Sequence, residues 1–212
     1  MRVALVVVVA ALSLSACSAD PKPPSAAPDT QATAPVIAPG RPGEPARTIS
    51  PDEAATAVPA PTANAADVKY VQDMIIHHRQ AVDMAVLAPS RADSATLKGL
   101  ASRIKDAQGP EIQYMTTWLQ QQGVKAPGHH ASHAGMPGMA TPEQMEALKA
   151  ASGKDFDRLF LTLMTAHHQG AITMSEQVLV GGSHIKIEEL ANDVAATQSA
   201  EIRRMREMQA GL

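Results

Sequence analysis

The stretch DVKYVQDMIIHHRQAVDM at residues 67–84 has a second copy, DRLFLTLMTAHHQGAITM, at residues 157–174. Both copies contain an initial aspartate, an aromatic residue, a methionine, a His-His pair, an alanine and a final methionine in one register. The offset of 90 positions continues beyond this stretch, because Gln108, Glu111 and Met115 return as Gln198, Glu201 and Met205. A repeat that keeps its register without a gap indicates a duplicated two-helix unit.

The spacing of apolar residues predicts four long helices, at about 67–87, 94–121, 155–180 and 183–208. Pro89, Gly123 and the pair Gly181-Gly182 mark helix ends. The run Thr141-Pro142-Glu143-Gln144 is typical of a helix start and predicts a short connecting helix. The sequence therefore predicts an all-α four-helix bundle made of two repeated hairpins. Gly109-Pro110 predicts a kink in the second helix, since proline removes one backbone hydrogen bond.

The faces predicted to be buried carry unusually polar groups. At 100° per residue, the motif residues of the first helix share an arc of roughly 120°. The second and fourth helices have an apolar seam that is interrupted at the Gln-x-x-Glu positions in both copies. Burying imidazoles and carboxylates is costly unless other groups satisfy them. We therefore expect a polar centre in the bundle.

A metal ion would satisfy such a centre. Imidazole and thioether together suit copper, especially Cu(I), whereas imidazole with carboxylate suits zinc or iron. Glu111 and Glu201 are either direct ligands or acceptors that fix the imidazole tautomer. Asp67 and Asp157 are equally well explained as first-turn carboxylates favoured by the helix dipole. The predicted metal ligands are His77, His78, His167, His168, Met74, Met84, Met164, Met174, Glu111 and Glu201.

The segment between the two halves is rich in glycine, histidine and methionine. It is either a polar connector or an exposed loop that captures metal for the core. The candidate capture residues are His129, His130, His133, Met136 and Met139.

The amino terminus predicts export. Arg2 precedes an apolar run that ends in Leu14-Ser15-Ala16-Cys17, so residues 1–16 are predicted to be a lipoprotein signal peptide. We expect Cys17, the single cysteine, to be lipidated, which anchors the protein to the outer face of the cell membrane or in the periplasm. Residues 17–62, dominated by Pro, Ala, Ser and Thr, are predicted to be a disordered tether, and 63–212 the folded domain.

The composition limits the partners. A net charge of −3 and a pI near 6.2 argue against nucleic-acid binding, which normally requires a basic face. We expect contact with the membrane only through the lipid anchor.

The doubled pattern of Met, His-His and Met, followed by a Gln-x-x-Glu-Ile helix, resembles the family called domain of unknown function 305, or CopM-like. The resemblance covers about residues 67–208. It implies a ferritin-like four-helix bundle, with copper binding and copper resistance as in some members. Gly109-Pro110 departs from the helical residues expected there.

The sequence thus favours a metal-binding lipoprotein for sequestration or tolerance of copper, which needs no catalytic residue. One alternative is a ferritin-like metal-dependent oxidase. Such bundles usually use Glu-x-x-His, and no glutamate in this chain has a histidine three residues later. The other is a helical interaction module whose core is a closed histidine–glutamate hydrogen-bond network.

Overall fold

The computed structural model describes residues 36–38, 43, 45–57, 62–128 and 135–212. The chain divides after Val58 into two units. Within the described ranges, no helix is both long and apolar enough to cross a lipid bilayer.

The first unit contains regular structure that the sequence did not predict. Strands β1 (Val36–Ala38) and β2 (Arg47–Ile49) pair antiparallel, and helix α1 (Pro51–Ala57) follows. The hairpin uses β-branched residues, for example in the pair Val36 and Ile49. Ser50 accepts a hydrogen bond from the Glu53 amide, 3.1 Å away, and so caps the helix. These elements lie inside the stretch predicted to be a disordered tether, and they differ from that prediction.

The second unit is all-α, as predicted. Its four long helices are α2 (Ala65–Ala85), α4 (Ala95–Gln121), α6 (Gly153–Gly181) and α7 (Ile185–Ala210), with short helices α3 (Ala88–Arg91) and α5 (Pro142–Ala150) between them. Helix α2 packs on α4 and α6 packs on α7, so each half is a hairpin. The two halves meet where α2 packs against α6. The histidine-bearing helices are therefore the central pair.

Local signals account for most helix ends. Asn64 and Asp67 form a reciprocal capping box at the start of α2, and Thr141 and Gln144 form the predicted box at the start of α5. The first predicted helix corresponds to α2, which ends at Ala85, and the short helix α3, which begins at Ala88 and contains Pro89, was not predicted. Helix α4 continues through Pro110, so the helix is not interrupted where the kink is predicted.

The two motif aspartates join the halves. Asp157 accepts hydrogen bonds from the backbone amides of Asp93 and Ser94, at 3.1 and 2.8 Å, where α4 begins. Asp67 accepts one from the amide of Ser183 at 3.1 Å, just before α7. Each carboxylate, 1% exposed, therefore fixes the start of a helix in the other half. This cross-half role goes beyond the first-turn interpretation.

We expect Asp157→Asn to lower the free energy of unfolding by about 1–3 kcal/mol, because one of two buried amides loses its acceptor. Urea denaturation measures the change. Asp155→Asn is the control, since its carboxylate is exposed and pairs with the neighbouring Arg158 on the helix surface, and it should cost less than about 0.5 kcal/mol. Equal stabilities of the two variants would contradict this role for Asp157.

Candidate metal centre

The four motif histidines are fully buried at the contact of α2 and α6. The imidazoles of His77 and His167 face each other across the helix pair, with ring centroids 3.7 Å apart and planes tilted by 34°. His78 and His168 point away from this contact, toward α4 and α7. This is the division expected from the 100° offset between neighbouring residues on a helix.

Each outward histidine meets the glutamate of its own half. Nε2 of His78 lies 2.6 Å from Oε2 of Glu111, and Nε2 of His168 lies 2.7 Å from Oε2 of Glu201. The histidine side chains are fully buried, whereas the two glutamates keep 27% and 13% of their side-chain surface exposed. The carboxylates therefore accept from the imidazoles on one side and contact water on the other.

The inner histidines use backbone carbonyls instead. Nε2 of His167 lies 2.9 Å from the carbonyl oxygen of His77, and Nε2 of His77 lies 3.1 Å from that of Pro137. A carbonyl oxygen can only accept, so the proton of each neutral ring is on Nε2. The Nδ1 atoms of His77 and His167 then carry lone pairs.

The other ring nitrogens are the notable feature of the centre. Nδ1 of all four histidines is buried and has no hydrogen-bond partner among the described residues, and the same holds for both amide atoms of Gln108 and Gln198. Such groups usually have partners, because an unpaired buried polar atom costs about 1–3 kcal/mol. Among the described residues, the histidine–glutamate contacts therefore pair one ring nitrogen of His78 and one of His168 and leave the other unpaired.

Burial also fixes the charge of the inner pair. It lowers the pKa of His77 from 6.5 to about 3, an effect that nearby His78 strengthens and the bond to the Pro137 carbonyl partly opposes. Burial, then His77 and the other two histidines, hold the pKa of His167 well below 6.5. Both rings are neutral at pH 7, which is the state in which imidazole binds metals.

These shifts predict that the metal-free protein loses stability as the pH falls below about 6.5. Between pH 6.5 and the lowered values, the unfolded chain binds more protons than the folded one. Each inner histidine then reduces the free energy of unfolding by up to about 1.4 kcal/mol per pH unit. Urea denaturation at several pH values between 7.5 and 4.5 measures the slope. In the variant His77→Gln/His167→Gln, the free energy of unfolding should depend less steeply on pH than in the wild type. Equal slopes in the two proteins would contradict the lowered pKa values of the inner histidines.

The motif methionines flank the histidines. Met84 and Met164 belong to the apolar cluster on one side of the histidine layer, and Met74 and Met174 belong to the cluster on the other side. Three of the four are fully buried and Met174 is 6% exposed. Ala81 and Ala171, one turn beyond the histidines, are also fully buried and keep the helices close.

The donor set fits a soft ion better than a hard one. Within the described ranges, no group of three or more His, Cys, Asp or Glu is arranged to hold a metal. What the centre offers is neutral imidazole nitrogens between methionine clusters, and such ligands suit Cu(I).

Part of the predicted set lies elsewhere. His129, His130, His133 and Cys17 lie outside the described residues. Met136 and Met139 are half-buried, in a segment that passes over α2 and α6. Two residues that fix this segment, Gln80 and Gly170, were not predicted. The sequence distinguishes these two positions only in that they are equivalent in the repeat, 90 residues apart, and carry different residues.

Comparison with known proteins agrees with the fold. A family model described as domain of unknown function (DUF305) matches residues 67–209. A solved DUF305 fragment from Deinococcus radiodurans is 34% identical with a TM-score of 0.66, covering 72% of this chain and 100% of that one. A DUF305 protein from Streptomyces coelicolor, predicted to be secreted, is 31% identical with a TM-score of 0.64, covering 69% of this chain and 91% of that one.

CopM, solved in a Cu(I)-bound form, is 32% identical with a TM-score of 0.59, covering 68% of this chain and 96% of that one. It has also been solved with Cu(II) and with silver. No curated protein matches the chain.

Proposed function

The chain belongs to the DUF305 family. We propose that it is an exported copper-binding protein that sequesters Cu(I) outside the cytoplasm. The observation that carries the proposal is the state of the four core histidines. Every Nε2 is directed at a carbonyl or a carboxylate, and every Nδ1 is buried with no partner in the described part of the chain. Metal-binding histidines characteristically donate their other N–H to such acceptors.

In this proposal, Nδ1 of His77 and Nδ1 of His167, whose rings face each other, bind copper together. His78 and His168 point away from that pair and bind through Nδ1 at separate positions. The thioethers of Met74, Met84, Met164 and Met174 favour the Cu(I) state. Glu111 and Glu201 act through the imidazoles, since a carboxylate that accepts from Nε2 raises the basicity of the ring. Silver binding by CopM supports a soft site of this kind.

The proposed location of the protein rests on its amino-terminal sequence. The predicted signal peptide and lipidation of Cys17 would hold the protein at the outer face of the cell membrane or in the periplasm. A Cu(I) store at that place limits copper before it reaches the cytoplasm and would contribute to copper tolerance. Labelling of cells with a radioactive fatty acid, in the wild type and in Cys17→Ala, tests the anchor.

The binding proposal is tested by titrating the protein with Cu(I) against a chromophoric Cu(I) chelator, which gives affinity and stoichiometry together. We expect tight binding of Cu(I) and weaker binding of Zn(II). Equal affinity for Zn(II) and Cu(I) would contradict a thioether-tuned site, and indifference to both ions would remove the proposed function.

A further inference from the structure

The segment at residues 136–140, here called the strap, is held directly against both central helices. The Gln80 side chain bonds both backbone groups of Ala140, accepting from its amide at 2.7 Å and donating to its carbonyl at 2.9 Å. A Cβ atom on Gly170 would lie 2.0 Å from the carbonyl oxygen of Pro137, and one on Gly138 would lie 2.3 Å from that of Ala166. Only glycine allows this approach, and Gly138 also has a φ of 75°.

The strap makes the two halves of the centre different. Gln80 and Gly170 are equivalent positions of the repeat, yet one bonds the strap and the other makes room for it. The strap also supplies the carbonyl of Pro137 to His77, whereas His167 donates to α2 itself. The strap therefore lies next to His77.

Met136 of the strap and Met174 of α6 line one open pocket of about 340 Å³, together with Pro137, Asp73 and Gln177. An adjoining pocket of about 120 Å³ also has Met174 in its wall. Met174 is buried but 6% exposed, whereas its counterpart Met84 has no exposed surface. The one cation lining the larger pocket, Lys69, is paired with Asp73. Met174 thus lies in the wall of both pockets, and Pro137, which lines the larger one, accepts from His77.

We propose that Met136 and Met174 form a loading site, where two thioethers take up Cu(I) and pass it to His77 beneath the strap. The inference rests on the proposed function and adds a route to it. Thioethers are neutral, soft ligands that select Cu(I). The transfer is a ligand exchange in which copper stays Cu(I), so no oxidant or reductant is required.

The chain contains a matched control. Met139 belongs to the same strap, but it lines a different pocket, with Met145 and Gln80. The experiment measures, by stopped flow, the rate at which the full-length protein removes Cu(I) from its bicinchoninate complex. We expect Met136→Leu to slow loading about tenfold, which corresponds to about 1.4 kcal/mol in the barrier, and to leave equilibrium affinity nearly unchanged. Met139→Leu should load like the wild type.

A second measurement follows the methionine methyl groups by carbon-13 NMR as Ag(I) is added in less than stoichiometric amounts. The signals of Met136 and Met174 should shift together. An unchanged loading rate in Met136→Leu, or equal slowing in Met139→Leu, would overturn the loading site while leaving copper binding intact. Loss of affinity in Met136→Leu would also overturn the loading site, because Met136 would then belong to the final binding site. Absence of Cu(I) binding in the wild type would overturn both proposals.

Discussion

Replacing His77 and His167 together with alanine is expected to lower the Cu(I) affinity by more than about a hundredfold. Loss of a group that only orients a ligand already costs about 10- to 100-fold, and this change removes two proposed ligands. The two rings lie 3.7 Å apart at the centre of the bundle, so both would be lost from one place. Competition with a chromophoric Cu(I) chelator measures the effect.

His184→Ala is the matched control for this variant. His184 caps the start of α7 by accepting from the Lys186 amide, outside the histidine layer, so its loss should leave Cu(I) affinity within about threefold of the wild type. Circular dichroism reports whether the double variant keeps its helices. A folded double variant with wild-type affinity would contradict the role of the inner pair.

The second large effect is expected from Gly170→Ala. The new methyl group would lie 2.0 Å from the Pro137 carbonyl oxygen and 2.8 Å from the Gly138 amide nitrogen, so backbone has to move. Such overpacking costs about 1–3 kcal/mol, which outweighs the roughly 1 kcal/mol that alanine gains over glycine in a helix.

Gly99→Ala provides the comparison, because there the new methyl would touch only the flexible end of Arg103, at 3.6 Å. We expect this substitution to stabilise the protein by up to about 1 kcal/mol. Thermal or urea unfolding of both variants tests the pair. Equal stabilities of Gly170→Ala and Gly99→Ala would contradict the close packing of Pro137 against Gly170.

Much of the bundle could be predicted because its decisive signals are local or repeated. The shared register from His77 to His167 predicts the duplication, and the run from Thr141 to Gln144 predicts the start of α5. The apolar seams of the second and fourth helices continue onto Gln108 and Gln198 and so also predict that these two amides are buried. Each of these follows from helical periodicity or capping chemistry.

The features that could not be predicted depend on contacts between distant segments. Nothing in the order of residues shows that Asp157 reaches the amide of Ser94, or that Gln80 bonds Ala140 across 60 positions. Which nitrogen of each imidazole carries the proton could not be predicted either, because it depends on the acceptor that the fold brings to Nε2. In the first unit, the Pro- and Ala-rich composition obscured a short hairpin that needs only three residues in each strand.

The central claim is that Nδ1 of the core histidines binds the metal while Nε2 keeps its acceptor. Long-range proton–nitrogen NMR correlation of the histidine rings, with Ag(I) as a diamagnetic substitute for Cu(I), tests it directly. We predict that adding Ag(I) shifts the Nδ1 signals of His77 and His167 and leaves their Nε2 atoms protonated. Shifts confined to the other histidines of the chain, with the core Nδ1 signals unchanged, would contradict it.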